Sequence, residues 1–191
     1  MKEVRELLDE LQDEKLKKRC IVMYEDKLRE QFEYFPASTR YHHAGQGDLG
    51  RHVQEVMNIA VEMYDLHPAW FKCTRDEAIL AGLLHDLCKI DGYTNAPDYL
   101  FLKGQLFTYT KRPVVNDVAR VVMLCAEYGI LLDDLMMNAL TFAHGAWSVD
   151  LSSPYAFSSS RDMKPLAVLL HMADMFSSQL LGYPEKERGK T

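Results

Sequence analysis

No stretch of this chain has the eighteen consecutive apolar residues that a membrane-spanning helix requires. There is no Cys-x-x-Cys pair either. Cys20, Cys73, Cys88 and Cys125 stand far apart, which excludes a zinc knuckle and a dithiol redox motif. They read as free thiols in a reducing cytoplasm. Basic residues are in deficit, with 22 Lys and Arg against 28 Asp and Glu, a net charge of -6. A protein that grips a long phosphate backbone needs the opposite balance. Small anionic ligands are not excluded, because a local cationic cluster outweighs a distant net charge at short range. The opening Met-Lys-Glu-Val-Arg-Glu is charged and periodic, unlike a secretory signal.

What the chain has is helical periodicity. Hydrophobic residues make up 48% of 191, enough for a real core. The pattern predicts an all-α bundle in three parts: an N-terminal helical segment over 1–36, a main domain over 37–182 and a polar tail over 183–191. Val4, Leu7, Leu8, Leu11, Cys20, Met23, Leu28 and Phe32 form one stripe, predicting a helix over 3–34 that Pro36 stops. Asp48 is a suitable N-cap for a helix over 49–65. Trp70 and Phe71 are expected to plug the core edge. Thr74 and Glu77 form a capping box for a helix that runs on to about Gly92. Two aromatic runs around Lys103-Gly104 predict a small β-hairpin at about 99–109. Further helices are expected over 114–128, 132–144 and 162–181, with a serine-rich loop over 145–161.

Four metal-type side chains share the inward phase of three of these helices. His52 falls between Leu49 and Val56. His85 and Asp86 are set among Leu80, Leu83, Leu84 and Leu87. Asp174 lies four residues after Leu170. A carboxylate aimed at a core needs a cation or a metal. Two imidazoles and two carboxylates suit Mn, Fe, Co, Ni, Zn or Mg with little selectivity. Four protein ligands leave positions open for water and substrate, as in a catalytic rather than a structural site. Lys89, one turn after the His-Asp pair, is placed to hold an anionic group. Loops carry function more often than cores. Arg40, His42 and His43 before the second helix, and Lys111 and Arg112 after the hairpin, are therefore candidate substrate contacts, beside the alternative of plain surface charges.

The segments Gly50-Arg51-His52-Val53-Gln54-Glu55-Val56, Leu83-Leu84-His85-Asp86-Leu87-Cys88-Lys89 and Leu170-His171-Met172-Ala173-Asp174 occur in this order. Together they resemble the HD-domain metal-dependent phosphohydrolase superfamily, over residues 40 to 182. Tyr41-His42-His43-Ala44-Gly45, with His144-Gly145 later, is similar to the branch that contains HD-type 3′–5′ exoribonucleases. The resemblance implies an HD-domain helical bundle with a divalent metal on His52, His85, Asp86 and Asp174. It implies hydrolysis of a phosphate ester or anhydride. Lys89 and His144 would stabilise phosphate charge, and His144 or Asp91 would move a proton. The acidic charge balance, and the lack of an accessory nucleic-acid-binding domain in this sequence, favour a small nucleotide substrate. An exonuclease or phosphodiesterase acting on oligonucleotides is the alternative, and a non-catalytic metal-binding regulatory module a further one. A homo-oligomer is left open.

Overall fold

A computed structural model of the chain describes residues 1–39, 42–109, 117–144 and 162–182. Among these the architecture is helical, with one two-stranded sheet. The described helices are α1 (Val4–Asp9), α2 (Glu14–Met23), α3 (Arg29–Tyr34), α4 (Asp48–Leu66), α5 (Pro68–Phe71), α6 (Arg75–Leu84), α7 (Asp98–Phe101), α8 (Asp117–Glu127), α9 (Asp134–Phe142) and α10 (Pro165–Phe176). No described helix is long and apolar enough to cross a membrane.

Helix α4 is the axis of the packing, because its residues from His52 to Val61 are almost all buried. It lies against α6, α10 and α3, and α10 lies in turn against α9. Leu49, Val56, Met57, Ile79, Leu83 and Leu84 fill the space between α4 and α6, each at most 9% exposed. Burying one such side chain contributes about 1.5–3 kcal/mol. The two helices come closest at Gly82, where a Cβ would sit 2.9 Å from Met57 Cα.

The N-terminal stripe is buried as its periodicity predicts, but not as one helix. The chain breaks after α1, and Asp13 begins α2 by accepting from the amides of Lys15 and Leu16. The amides of Gln12 and Asp13, freed by this break, donate to the carboxylate of Asp76 on α6. A π-helical turn (Tyr24–Leu28) then joins α2 to α3.

Asp48 does not cap α4. Gly47 precedes the helix, and the Asp48 carboxylate instead accepts from Gly45 N at 2.7 Å. Thr74 does cap α6, with the reciprocal Glu77 contact of a capping box. Phe71 is buried, but Trp70 is 67% exposed and stacks on His67 at 3.8 Å. The hairpin differs in register from its prediction. Strand β1 (Tyr93–Asn95) pairs antiparallel with β2 (Phe107–Tyr109), and Tyr93 faces Tyr109. The first aromatic run, 99–102, instead falls in and just after the short helix α7, which begins right after Pro97. The 145–161 loop, the tail beyond 182, Arg40, Lys111 and Arg112 lie outside the described residues.

Candidate metal centre

The local fold first explains how neighbouring His85 and Asp86 reach one point. Helix α6 ends at Leu84, His85 is its C-cap, and Asp86 takes φ -114°, ψ 10°. A 3₁₀ turn (Leu87–Asp91) follows, so the helix predicted to run to Gly92 changes type at the pair itself. Both side chains thus turn inward, His85 to 4% exposure and Asp86 to 0%. Helix α4 delivers His52, also fully buried, and α10 delivers Asp174.

Their polar atoms converge. His52 Nε2 lies 3.2 Å from His85 Nε2, 3.1 Å from Asp174 Oδ1 and 3.4 Å from Asp86 Oδ2. His85 Nε2 lies 3.6 Å from Asp86 Oδ2. Among the described residues, His52, His85 and Asp174 form one cluster able to hold an ion, and His42, His43 and His52 form a second that shares His52.

The outer hydrogen bonds fix what these nitrogens present. His85 Nδ1 is 2.8 Å from the Gly82 carbonyl, which only accepts, so Nδ1 carries the proton and Nε2 the lone pair. His52 Nδ1 meets Ser177 Oγ at 2.9 Å, in the π-helical turn (Ser177–Leu181) that follows α10. Ser177 in turn donates to Glu55 Oε2 at 2.7 Å. Two imidazole nitrogens without hydrogens therefore face each other, flanked by two carboxylates. A proton on His52 answers part of that demand for positive charge; a divalent ion answers all of it. Asp86 Oδ1 adds to the demand: it is buried, and the contact nearest it is the ion pair with His144 Nε2 at 3.3 Å. The donor set of two nitrogens and carboxylate oxygens fits a divalent ion.

The surrounding charges are consistent with such a site. Burial pushes His85 down to about 4, which keeps it neutral as a ligand must be. Burial also opposes charge on the Asp86 carboxyl, but the nearby Lys89 and His85 hold it well below the usual range. Lys89 Nζ donates to Asp86 Oδ2 at 2.6 Å, and that pairing raises its pKa against the effect of burial. His144 sits between the two acids, with Nδ1 3.1 Å from Asp174 Oδ2. Burial lowers its pKa, but Asp174 and Asp86 outweigh this and lift it to about 9. His144 is held at this place by its neighbour, because His171 Nδ1 donates to the Ala143 carbonyl at 2.9 Å.

His43, a candidate substrate contact, is 5% exposed, and its Nε2 meets Glu55 Oε2 at 2.9 Å. His42 Nδ1 lies 3.3 Å from His43 Nδ1, and the His42 and His52 rings are 5.3 Å apart. Burial moves His42 down to about 4. Asp91 ends the 3₁₀ turn; its side chain, like those of Arg40, Lys111 and Arg112, lies outside the described structure. Sequence reasoning passed over Glu55 and Ser177. Each had a signal: Glu55 is a carboxylate among the buried positions of α4, and Ser177 is one turn after Asp174. Burial would raise the Glu55 pKa, but hydrogen bonds from His43, Ser177 and Arg51 bring it to about 2.

A cavity of about 680 Å³ opens beside His85 and His144, walled largely by Val118, Val121, Met137 and Leu140. Its size is that of a pocket for a small organic ligand.

The chain is similar to a curated protein, the 3'-5' exoribonuclease YhaM of Oceanobacillus iheyensis, with 22% identity over 179 residues. The similarity covers 92% of this chain and 51% of that protein, so the chain spans about half of its relative's length. No protein-family model matches the chain. No solved structure matches it.

Proposed function

We propose that the chain is a metal-dependent phosphohydrolase of the HD type, with His52, His85, Asp86 and Asp174 as the metal ligands. The observation that carries this reading is the pair of imidazole lone pairs 3.2 Å apart, flanked by two buried carboxylates. The distant similarity to an exoribonuclease supports the same class of chemistry.

A divalent ion bound there supplies Lewis acidity toward a phosphoryl oxygen and an acidified water. The remaining work falls to the chain's own side chains. Lys89 places an ammonium at the edge of the site, held through Asp86, where it balances charge on a phosphate. His144 carries a proton between two carboxylates and is the group placed to deliver it to a leaving oxygen. Asp91 is a second candidate for proton transfer. The apolar wall of α8 and α9 excludes water from one side and offers a surface for a base or sugar. His43 acts from behind the site through Glu55. Arg40, Lys111 and Arg112 are the cations left to meet further phosphates.

Two substrate classes remain in play. The similarity to the RNA-degrading relative favours the end of an RNA strand. The net charge of -6 and the size of the cavity, about 680 Å³, favour a free nucleotide. We rank the RNA end first, because one local cationic cluster suffices for a strand end whereas a long track would need many.

The test is a panel of Mn, Co, Ni, Zn and Mg with the full chain, against nucleotides and a short single-stranded RNA at equal phosphodiester concentration. Faster kcat/KM on RNA, with shortening from the 3′ end, is the expected result. Faster turnover of a nucleotide would reverse the ranking. Metal binding without turnover of either class would leave a regulatory module. A companion variant, Lys89→Ala, is expected to keep the metal and lose about a hundredfold or more in rate; an unchanged rate would remove Lys89 from the site.

A further inference from the structure

Behind His52 lies a set of buried polar groups that the proposed reaction does not itself use. Glu55 is 1% exposed, Ser177 is 0% and His43 is 5%. Glu55 Oε2 receives both Ser177 Oγ at 2.7 Å and His43 Nε2 at 2.9 Å. Its Oε1 receives Arg51 Nε at 3.0 Å. An ionised carboxylate can only accept, so each of these partners must donate.

That constraint propagates. Ser177 has one hydroxyl proton, and Glu55 takes it. Toward His52 Nδ1, Ser177 Oγ can then only accept. His52 is left with its proton on Nδ1 and its lone pair on Nε2, the nitrogen that faces His85, Asp174 and Asp86. Without the carboxylate the hydroxyl is free to rotate and donate to Nδ1, which puts the ring proton on Nε2 and removes the ligand. The same carboxylate sets His43: Nε2 donates to Glu55, so Nδ1 is an acceptor for His42 Nδ1.

The backbone is shaped around this network. His43 has φ +49°, a left-handed conformation that non-glycine residues rarely keep without external support. Its carbonyl is held by the amide of Ala37 at 2.9 Å. Ser177 opens a π-helical turn, a distortion frequent at functional sites. That turn ends at Gly182, where a Cβ would come within 2.3 Å of the His43 ring. Only a glycine lets the chain close over His43 there.

We infer that Glu55, acting through Ser177, is a positioning residue for His52, selecting the imidazole tautomer that can bind a metal. The inference rests on the proposed metal centre and adds the part of the protein that prepares it. Partners of this kind behind a metal-binding histidine are commonly worth about 10–100-fold in metal affinity.

The test needs no turnover. Chelator-stripped protein is titrated with Co²⁺ and followed by absorption, and the unfolding midpoint of each metal-free variant is recorded. Glu55→Gln keeps the shape but offers a donor to Ser177. It is expected to weaken Co²⁺ binding about 10–100-fold, as is Ser177→Ala, while Ser177→Thr recovers most of the affinity. Asn58→Ala removes another buried polar group of α4, bonded to the Lys2 and Gln54 backbone. It is expected to lower the midpoint and leave Co²⁺ affinity unchanged. Wild-type Co²⁺ affinity in Glu55→Gln, or an equal loss in Asn58→Ala, would overturn the inference and leave the metal centre standing. A wild type that binds no Co²⁺ would overturn both. Ring-nitrogen NMR of the unsubstituted metal-free protein requires no variant: His52 must show a protonated Nδ1, whether or not Nε2 also carries a proton, and a bare Nδ1 with the proton on Nε2 refutes the argument.

Discussion

Replacing Gly82 with alanine sets two ordinary effects against each other, and the structure decides between them. In an exposed helix the change is favourable by roughly 0.5–1 kcal/mol, because glycine loses more backbone freedom on folding. At Gly82 the added methyl would lie 2.9 Å from Met57 Cα, 3.0 Å from its Cγ and 3.2 Å from its N. Two of these three atoms are backbone of α4, which cannot swing aside as a side chain can. The helices must separate by several tenths of an ångström, and overpacking of a tight core typically costs about 1–3 kcal/mol. The net expectation is a loss of roughly 1–2 kcal/mol, a fall of about 2–8 °C in the unfolding midpoint of a chain this size. Because His52 and His85 ride on the two helices forced apart, metal affinity is expected to fall as well. The assay is calorimetric unfolding of Gly82→Ala beside wild type, each with and without Co²⁺. The double variant Gly82→Ala/Met57→Ala separates side-chain from backbone conflict, and it should not recover the loss. A midpoint equal to or above wild type would refute the close crossing, and recovery in the double variant would refute its backbone origin.

Three further outcomes are expected. Thr74→Ala removes the acceptor for the Glu77 amide at the start of α6 and should cost about 1 kcal/mol by urea unfolding, with an unchanged m-value. Burial pushes the Cys20 and Cys125 thiols up to about 12, so at mildly alkaline pH both stay protonated. Mass spectrometry should find them unalkylated by iodoacetamide until denaturant is added; rapid native labelling would contradict the burial of both side chains. Chelation should lower the unfolding midpoint, and restoring a bound ion at a hundred times its Kd should return about 2.7 kcal/mol. Identical midpoints with and without chelator would count against a metal that binds only the folded chain.

The inward phase of His52, His85 and Asp174 was readable because a helical stripe fixes which way each residue points, and these three meet at one spot. The helix boundaries were less readable where distant residues decide them. The break after α1 depends on Asp76, more than sixty positions away, accepting the freed amides. The aromatic run 99–102 has the composition of a strand, yet the turn that opens after Pro97 makes most of it helical, and the pairing segment moves back to Tyr93. Trp70 and Phe71 both suit the core edge by type, yet only Phe71 is buried there, and the Trp70 ring lies on His67 at the surface. Glu55 went unread for another reason. A glutamate between buried positions looks like a boundary residue until its partners His43 and Ser177, 12 and 122 positions distant, are brought against it.

The change from α-helix to 3₁₀ turn at Asp86 has a consequence for protein engineering. Consecutive residues of an uninterrupted α-helix diverge by about 100° around its axis, so an adjacent histidine and aspartate would aim at different neighbours. Here the backbone torsions of Asp86 bring the two onto a common target. The dipeptide is thus a conformational motif as much as a chemical one. Grafted into the middle of a designed helix, the same two letters would be mute; grafted with the helix end that precedes them and the tight turn that follows, they would carry their geometry along.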